Sequence, residues 1–88
     1  MVHVIVERVF AEPADVAALS QRFEEAKSCF VMRNVQHVRT CLARDGRRMI
    51  CEYTAPDAES VRVANQLAGL PFERAWSAEV MESPKPSV

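Results

Sequence analysis

Five apolar residues, Val16, Leu19, Phe23, Ala26 and Phe30, recur at spacings of 3, 4, 3 and 4. That rhythm draws one apolar stripe down a helix, with Gln21, Arg22, Glu24, Glu25 and Lys27 mostly on the other side. A helix with one such stripe has to lie on a surface that the rest of the chain supplies. Glu12-Pro13-Ala14-Asp15 carries helix-start chemistry, because proline suits a first turn and acids favour the positive end of the helix dipole. The helix is expected to end near Arg33-Asn34.

The flanking segments supply the surface. Residues 2–10 alternate and are rich in Val and Ile, which predicts a strand with Val4 and Val6 on one face and His3, Ile5 and Glu7 on the other. Residues 35–43 and 48–54 read as two more strands around Asp45-Gly46, where a two-residue type I′ turn would place both residues at positive φ. Ala55-Pro56-Asp57 opens a second helix with Val61, Ala64, Leu67 and Ala68 as its apolar face, and Gly69 followed by Pro71 stops it. Residues 74–81, with Trp76, Ala78 and Val80, form a last strand, and 82–88 reads as a loose tail after a single domain spanning 1–81. With right-handed crossovers, this β-α-β-β-α-β order gives an α+β, ferredoxin-like plait. Its four-stranded antiparallel sheet should run fourth, first, third, second, with both helices on one face.

A chain of 88 residues has room for one domain. A domain of this size buries only about 60–65 % of its unfolded surface, which favours a homodimer. Nine arginines and two lysines against twelve acids leave a net charge of −1, so no field draws in nucleic acid or an anionic membrane. No apolar run approaches the roughly 20 residues that span a bilayer. The start, MVHVIVERVF, lacks the basic region and uninterrupted apolar stretch of a secretory signal. Three cysteines, Cys29, Cys41 and Cys51, form no CxxC pair, and an odd count does not suit a disulfide framework. A cytoplasmic, reduced protein is the expectation.

Strand parity assigns the two faces of the sheet. Val4, Val6, Val38, Leu42, Met49, Cys51, Tyr53, Trp76 and Val80 are expected to meet the helices. The open face is then expected to hold His3, Ile5, Glu7, His37, Arg39, Cys41, Arg48, Ile50, Glu52, Ser77 and Glu79. Carboxylates, imidazoles and a thiol mixed with two isoleucines suit a face that receives a ligand or a partner subunit.

Val6-Glu7-Arg8, Val38-Arg39-Thr40, Asp45-Gly46, the run Cys51-Glu52-Tyr53-Thr54-Ala55-Pro56-Asp57 and Ala68-Gly69-Leu70-Pro71 together resemble a family of small bacterial ferredoxin-like proteins. Most of its members carry only a domain-of-unknown-function label, and at least one is described as nickel-binding. The resemblance covers about residues 3–80 and implies the plait, a homodimer and a metal. Where that family leads one to expect a Trp and a Tyr on the second strand, this chain has His37 and Cys41.

Three functions fit the open face. In the first, His37, His3 and Cys41 are donors for nickel or another divalent transition metal. His37 and Cys41 lie roughly 13 Å apart along one strand, so a site would need Glu7, Glu52, His3 or a dimer mate as well. In the second, Glu7, Arg39 and Glu52 line a ligand pocket of a dimeric α+β barrel enzyme. There a carboxylate with a raised pKa acts as base, His37 assists it and Arg39 holds an anionic substrate. Against this stands the plainer reading, ion pairs of Glu7 with Arg39 or of Glu52 with Arg48. In the third, the face is a non-catalytic dimer or interaction surface.

Overall fold

A computed structural model describes residues 1–84. The elements follow in the order β1 (Val2–Val9), α1 (Val16–Val31), β2 (Gln36–Leu42), β3 (Arg48–Ala55), α2 (Ala58–Leu67) and β4 (Arg74–Ala78). They form one antiparallel sheet in the order β2-β3-β1-β4, the expected plait. No helix of the described residues is long and apolar enough to cross a membrane. Glu82–Pro84 belong to no regular element; the rest of the expected tail, 85–88, lies outside the described residues.

Both helices begin and end by the same physics. Asp15 caps α1 by accepting from the Ala18 N–H at 3.2 Å, and Asp57 caps α2 by accepting from the Ser60 N–H at 2.7 Å. Pro13 and Pro56 therefore stand ahead of the caps rather than inside the first turn. Past α1, Asn34 at φ 57 turns the chain so that the Val35 N–H reaches the Phe30 carbonyl at 2.9 Å. Past α2, Gly69 at φ 69 lets the Leu70 N–H reach the Asn65 carbonyl at 2.9 Å. In each case a left-handed residue satisfies the last carbonyls, and the aliphatic residue after it, Val35 or Leu70, is buried.

The hairpin between β2 and β3 is present, but its turn is not the two-residue type I′. Only Gly46 has positive φ, the Gly46 N–H returns to the Ala43 carbonyl at 2.9 Å, and the Ala43 N–H reaches the Arg48 carbonyl at 2.8 Å. Asp45 acts through its side chain instead, accepting from the Arg47 N–H at 3.0 Å.

The core lies between the helices and one face of the sheet. Val4, Val6, Met49, Cys51, Tyr53, Ala55 and Ala75 meet Ala26, Phe30, Val61 and Ala64 there. Three residues expected in this core are outside it: Val38, Trp76 and Val80 are 48 %, 44 % and 49 % exposed. In β4 the inward residue is Ala75, opposite Val6, while Trp76 pairs with Ile5 on the open side. The small Ala75 lets α2 close onto the sheet, and Arg62 of α2 donates to its carbonyl at 2.6 Å. Ser77 pairs with Val4 and so belongs to the helix side, while Glu79 and Val80 lie beyond the end of β4.

Among the described residues, one charged side chain is fully inside. Arg8 follows Val4 and Val6 in parity and is 2 % exposed. Its guanidinium donates to Asn65 Oδ1 at 2.6 Å, to the Pro71 carbonyl at 2.9 Å and to the Tyr53 hydroxyl at 3.4 Å, and it lies 5.5 Å from the centre of the Phe23 ring. These bonds tie β1 to α2 and to the loop that follows it.

Candidate functional site

The open face carries two carboxylates on neighbouring central strands, each placed by the pleat of its strand. Glu52 of β3 pairs with Ile5 of β1 on one side and Arg39 of β2 on the other. Its Oε1 lies 3.0 Å from His3 Nε2, and its Oε2 accepts from Arg39 Nε. The Arg39 guanidinium, with His3 second, holds the Glu52 carboxyl below the usual carboxylate range. Glu7 of β1 accepts from the Trp76 indole N–H at 2.9 Å and lies 3.6 Å from Arg74 Nε. The ion pairs on this face are thus Glu52–Arg39 and Glu7–Arg74, not the Glu7–Arg39 or Glu52–Arg48 pairs expected from parity.

His37 is not on this face. A bulge between His37 and Arg39 sets two residues of β2 against one of β3, so His37 is opposite Tyr53 while Arg39 is opposite Glu52. This register carries His37 to the helix side, where its ring centre is 5.5 Å from that of Tyr53 and its Nε2 is 2.8 Å from Thr40 Oγ1. The bulge sits on an edge strand, where it also interrupts a row of free backbone groups.

The six sequence candidates therefore divide. His3, Glu52 and Arg39 form one connected group, and Glu7 forms another with Trp76 and Arg74. Cys41 is opposite Ile50, four residues along β3 from the Thr54 that pairs with His3, or roughly 13 Å away. Among the described residues no three His, Cys, Asp or Glu side chains gather closely enough to hold a metal ion. One copy of the chain offers two donors at one place, His3 and Glu52, and that is too few for a closed transition-metal centre. Nor does Glu52 suit a base with a raised pKa, since Arg39 shifts it the opposite way.

Sequence reasoning missed Trp76 and Arg74 as partners of Glu7, and it missed Arg8. The signal for Arg8 was present: it shares the parity of Val4 and Val6, so a strand through residue 9 had to point it inward.

The sequence profile of the nickel responsive protein family, SCO4226-like, matches residues 3–77. The chain belongs to the SCO4226-like family. The crystal structure of SCO4226 from Streptomyces coelicolor A3(2) has the same fold, with a TM-score of 0.80 over 91 % of this chain and 99 % of that one. At 15 % identity, that likeness speaks for the fold alone. No curated protein matches the chain. Membership of the SCO4226-like family links the chain to nickel through the family's description and leaves the ligands to be argued from its own residues.

Proposed function

We propose that this protein is a divalent transition-metal-binding domain, with nickel the first candidate, whose site forms when two copies bring their open sheet faces together. The reading rests on the His3–Glu52 pair. An imidazole nitrogen and a carboxylate oxygen stand 3.0 Å apart with side chains only 17 % and 12 % exposed. Both are ligand types that borderline divalent ions accept. A second copy would supply the same two donors and complete a set of four. It would also cover Ile5, Ile50 and Trp76, the apolar part of the face, of which Ile50 and Trp76 are 43 % and 44 % exposed. His3 and Glu52 would hold the ion, and Arg39 would give up Glu52 to it. The family's description as nickel-responsive supports nickel as the first ion to try.

The test is a thermal melt of EDTA-stripped protein against Ni²⁺, Zn²⁺ and Mg²⁺, with molar mass followed by light scattering. A metal at 100 times its dissociation constant adds about 2.7 kcal/mol, a shift of many degrees for so small a domain. Ni²⁺ is expected to raise the melt and hold a dimer. His3→Ala and Glu52→Gln should lose the effect, and His37→Ala should keep it. A metal shift at monomer mass, or one lost in His37→Ala and kept in His3→Ala, would reject this arrangement.

A further inference from the structure

The helix side of the sheet carries a second feature, which the open face does not need. α1 rests chiefly against α2, and where it passes over β2 and β3 a groove of about 780 Å³ remains. That volume lies in the range of about 300–1,000 Å³ typical of small-molecule sites. Its walls are largely apolar: Phe23, Phe30 and Val31 from α1, Val35 from the loop, and Tyr53 from β3. The Phe30 and Tyr53 rings are stacked, with centres 5.5 Å apart and planes 5° from parallel, so helix and strand meet there in an aromatic stack at the side of the groove.

The charge behind those walls is unusual. Arg8 is buried and among the described residues has no carboxylate partner; its contacts are neutral oxygens, and its Nε has no acceptor at all. A buried cation without a counter-ion is costly, and an anion brought near it recovers part of that cost. The two rings that the guanidinium touches, Phe23 and Tyr53, are both groove walls. Burial pushes the Tyr53 phenol above its ordinary pKa, so its O–H stays available to donate. At the rim, Lys27 is balanced by Glu24, and His37 stands across from them. Arg8 itself lies one ring behind the groove and meets it only through Phe23 and Tyr53.

We propose that the groove between α1 and the β2–β3 half of the sheet binds a small aromatic carboxylate, its ring against Phe30 and Tyr53 and its carboxylate at the Tyr53 hydroxyl under the field of Arg8, with Lys27 at the entrance. An aromatic ring extends the Phe30–Tyr53 stack, and a negative charge answers the unpaired guanidinium that Tyr53 contacts.

Benzoate and its neutral analogue benzamide separate charge from shape. Titrated into ¹⁵N-labelled protein, benzoate is expected to shift the amide resonances of Phe30, Val35, His37 and Tyr53, and to bind at least ~10-fold more tightly than benzamide, the ratio that one good charge-assisted hydrogen bond supplies. Tyr53→Phe keeps the ring and removes the donor, and Lys27→Met changes only the entrance. Each should weaken benzoate several-fold and leave benzamide nearly unchanged. Equal affinity for the two compounds, or no movement of those resonances at about 10 mM benzoate, would overturn the proposal. His3 and Glu52 lie on the other face of the sheet, so this outcome is independent of the metal experiment.

Discussion

Arg8 donates to Asn65 Oδ1 at 2.6 Å in the interior of the domain, and this bond fixes how α2 sits on the first strand. Asn65 is itself fully buried and anchored, its side-chain N–H donating to the Val61 carbonyl at 2.8 Å. Removing the acceptor leaves a buried charge short of a partner. Asn65→Ala is expected to destabilise the fold by about 2–3 kcal/mol, whereas Arg8→Met, which removes the buried charge but leaves Asn65 Oδ1 and the Pro71 carbonyl without that donor, should cost less, about 1–2 kcal/mol. Urea unfolding of both variants measures this. A larger loss in Arg8→Met than in Asn65→Ala would mean that the guanidinium itself organises the core.

The Glu52 carboxyl is held below its ordinary pKa by Arg39 and His3, so it binds protons less readily folded than unfolded. A depressed pKa contributes stability that is complete above the unfolded value of about 4.3 and is lost as the pH falls through the folded value. Wild type should therefore exceed Glu52→Gln in stability at about pH 7, and the gap should close towards about pH 3. Denaturant melts across that range read the difference, and a gap that widened on acidification would contradict the assigned sign.

The two glycines should respond differently to alanine. Both have positive φ, 74 at Gly46 and 69 at Gly69, so each substitution carries a backbone cost of about 1 kcal/mol. At Gly69 a Cβ would meet nothing within 4 Å among the described residues. At Gly46 it would come within 3.2 Å of the Ala14 nitrogen and of Pro13 Cβ, where the Gly46 carbonyl also accepts from the Ala14 N–H at 2.8 Å. Gly46→Ala is expected to cost about 2 kcal/mol or more in thermal or urea melts, and Gly69→Ala only the backbone term. Similar losses at both would show that the hairpin tip yields freely against the start of α1.

The three thiols should react in the order of their exposure. Cys41 is exposed on the open face, Cys29 is intermediate, and Cys51 is fully buried with the Thr40 hydroxyl donating to its sulfur at 3.5 Å. Alkylation followed by mass spectrometry should modify Cys41 first and Cys51 only on unfolding. Labelling of Cys51 at the rate of Cys41 under native conditions would be incompatible with this core. If the open faces pair, Cys41 should also become protected as protein concentration rises.

Much of the fold follows from short-range chemistry that a sequence displays. The stripe from Leu19 to Phe30, the caps Asp15 and Asp57, the stop at Gly69 and the alternation from Val2 to Val9 each express a local preference, and together they fix the element order and hence the plait. His3, Ile5 and Glu7 on one face and Val4 and Val6 on the other were legible for the same reason, because a regular strand has period two. What parity could not decide was anything that depends on a break in register or on relative size. The extra residue at Val38 costs one strand its alternation and sends His37 to the far side of the sheet, away from His3. Ala75 rather than Trp76 faces inward, because only the smaller residue lets α2 close on the sheet, while the indole finds Glu7 outside. The sequence by itself determined the elements and their order; the tertiary structure decided which donors meet. Pairing partners on separate strands are chosen by packing across the whole sheet, and no local pattern encodes that choice.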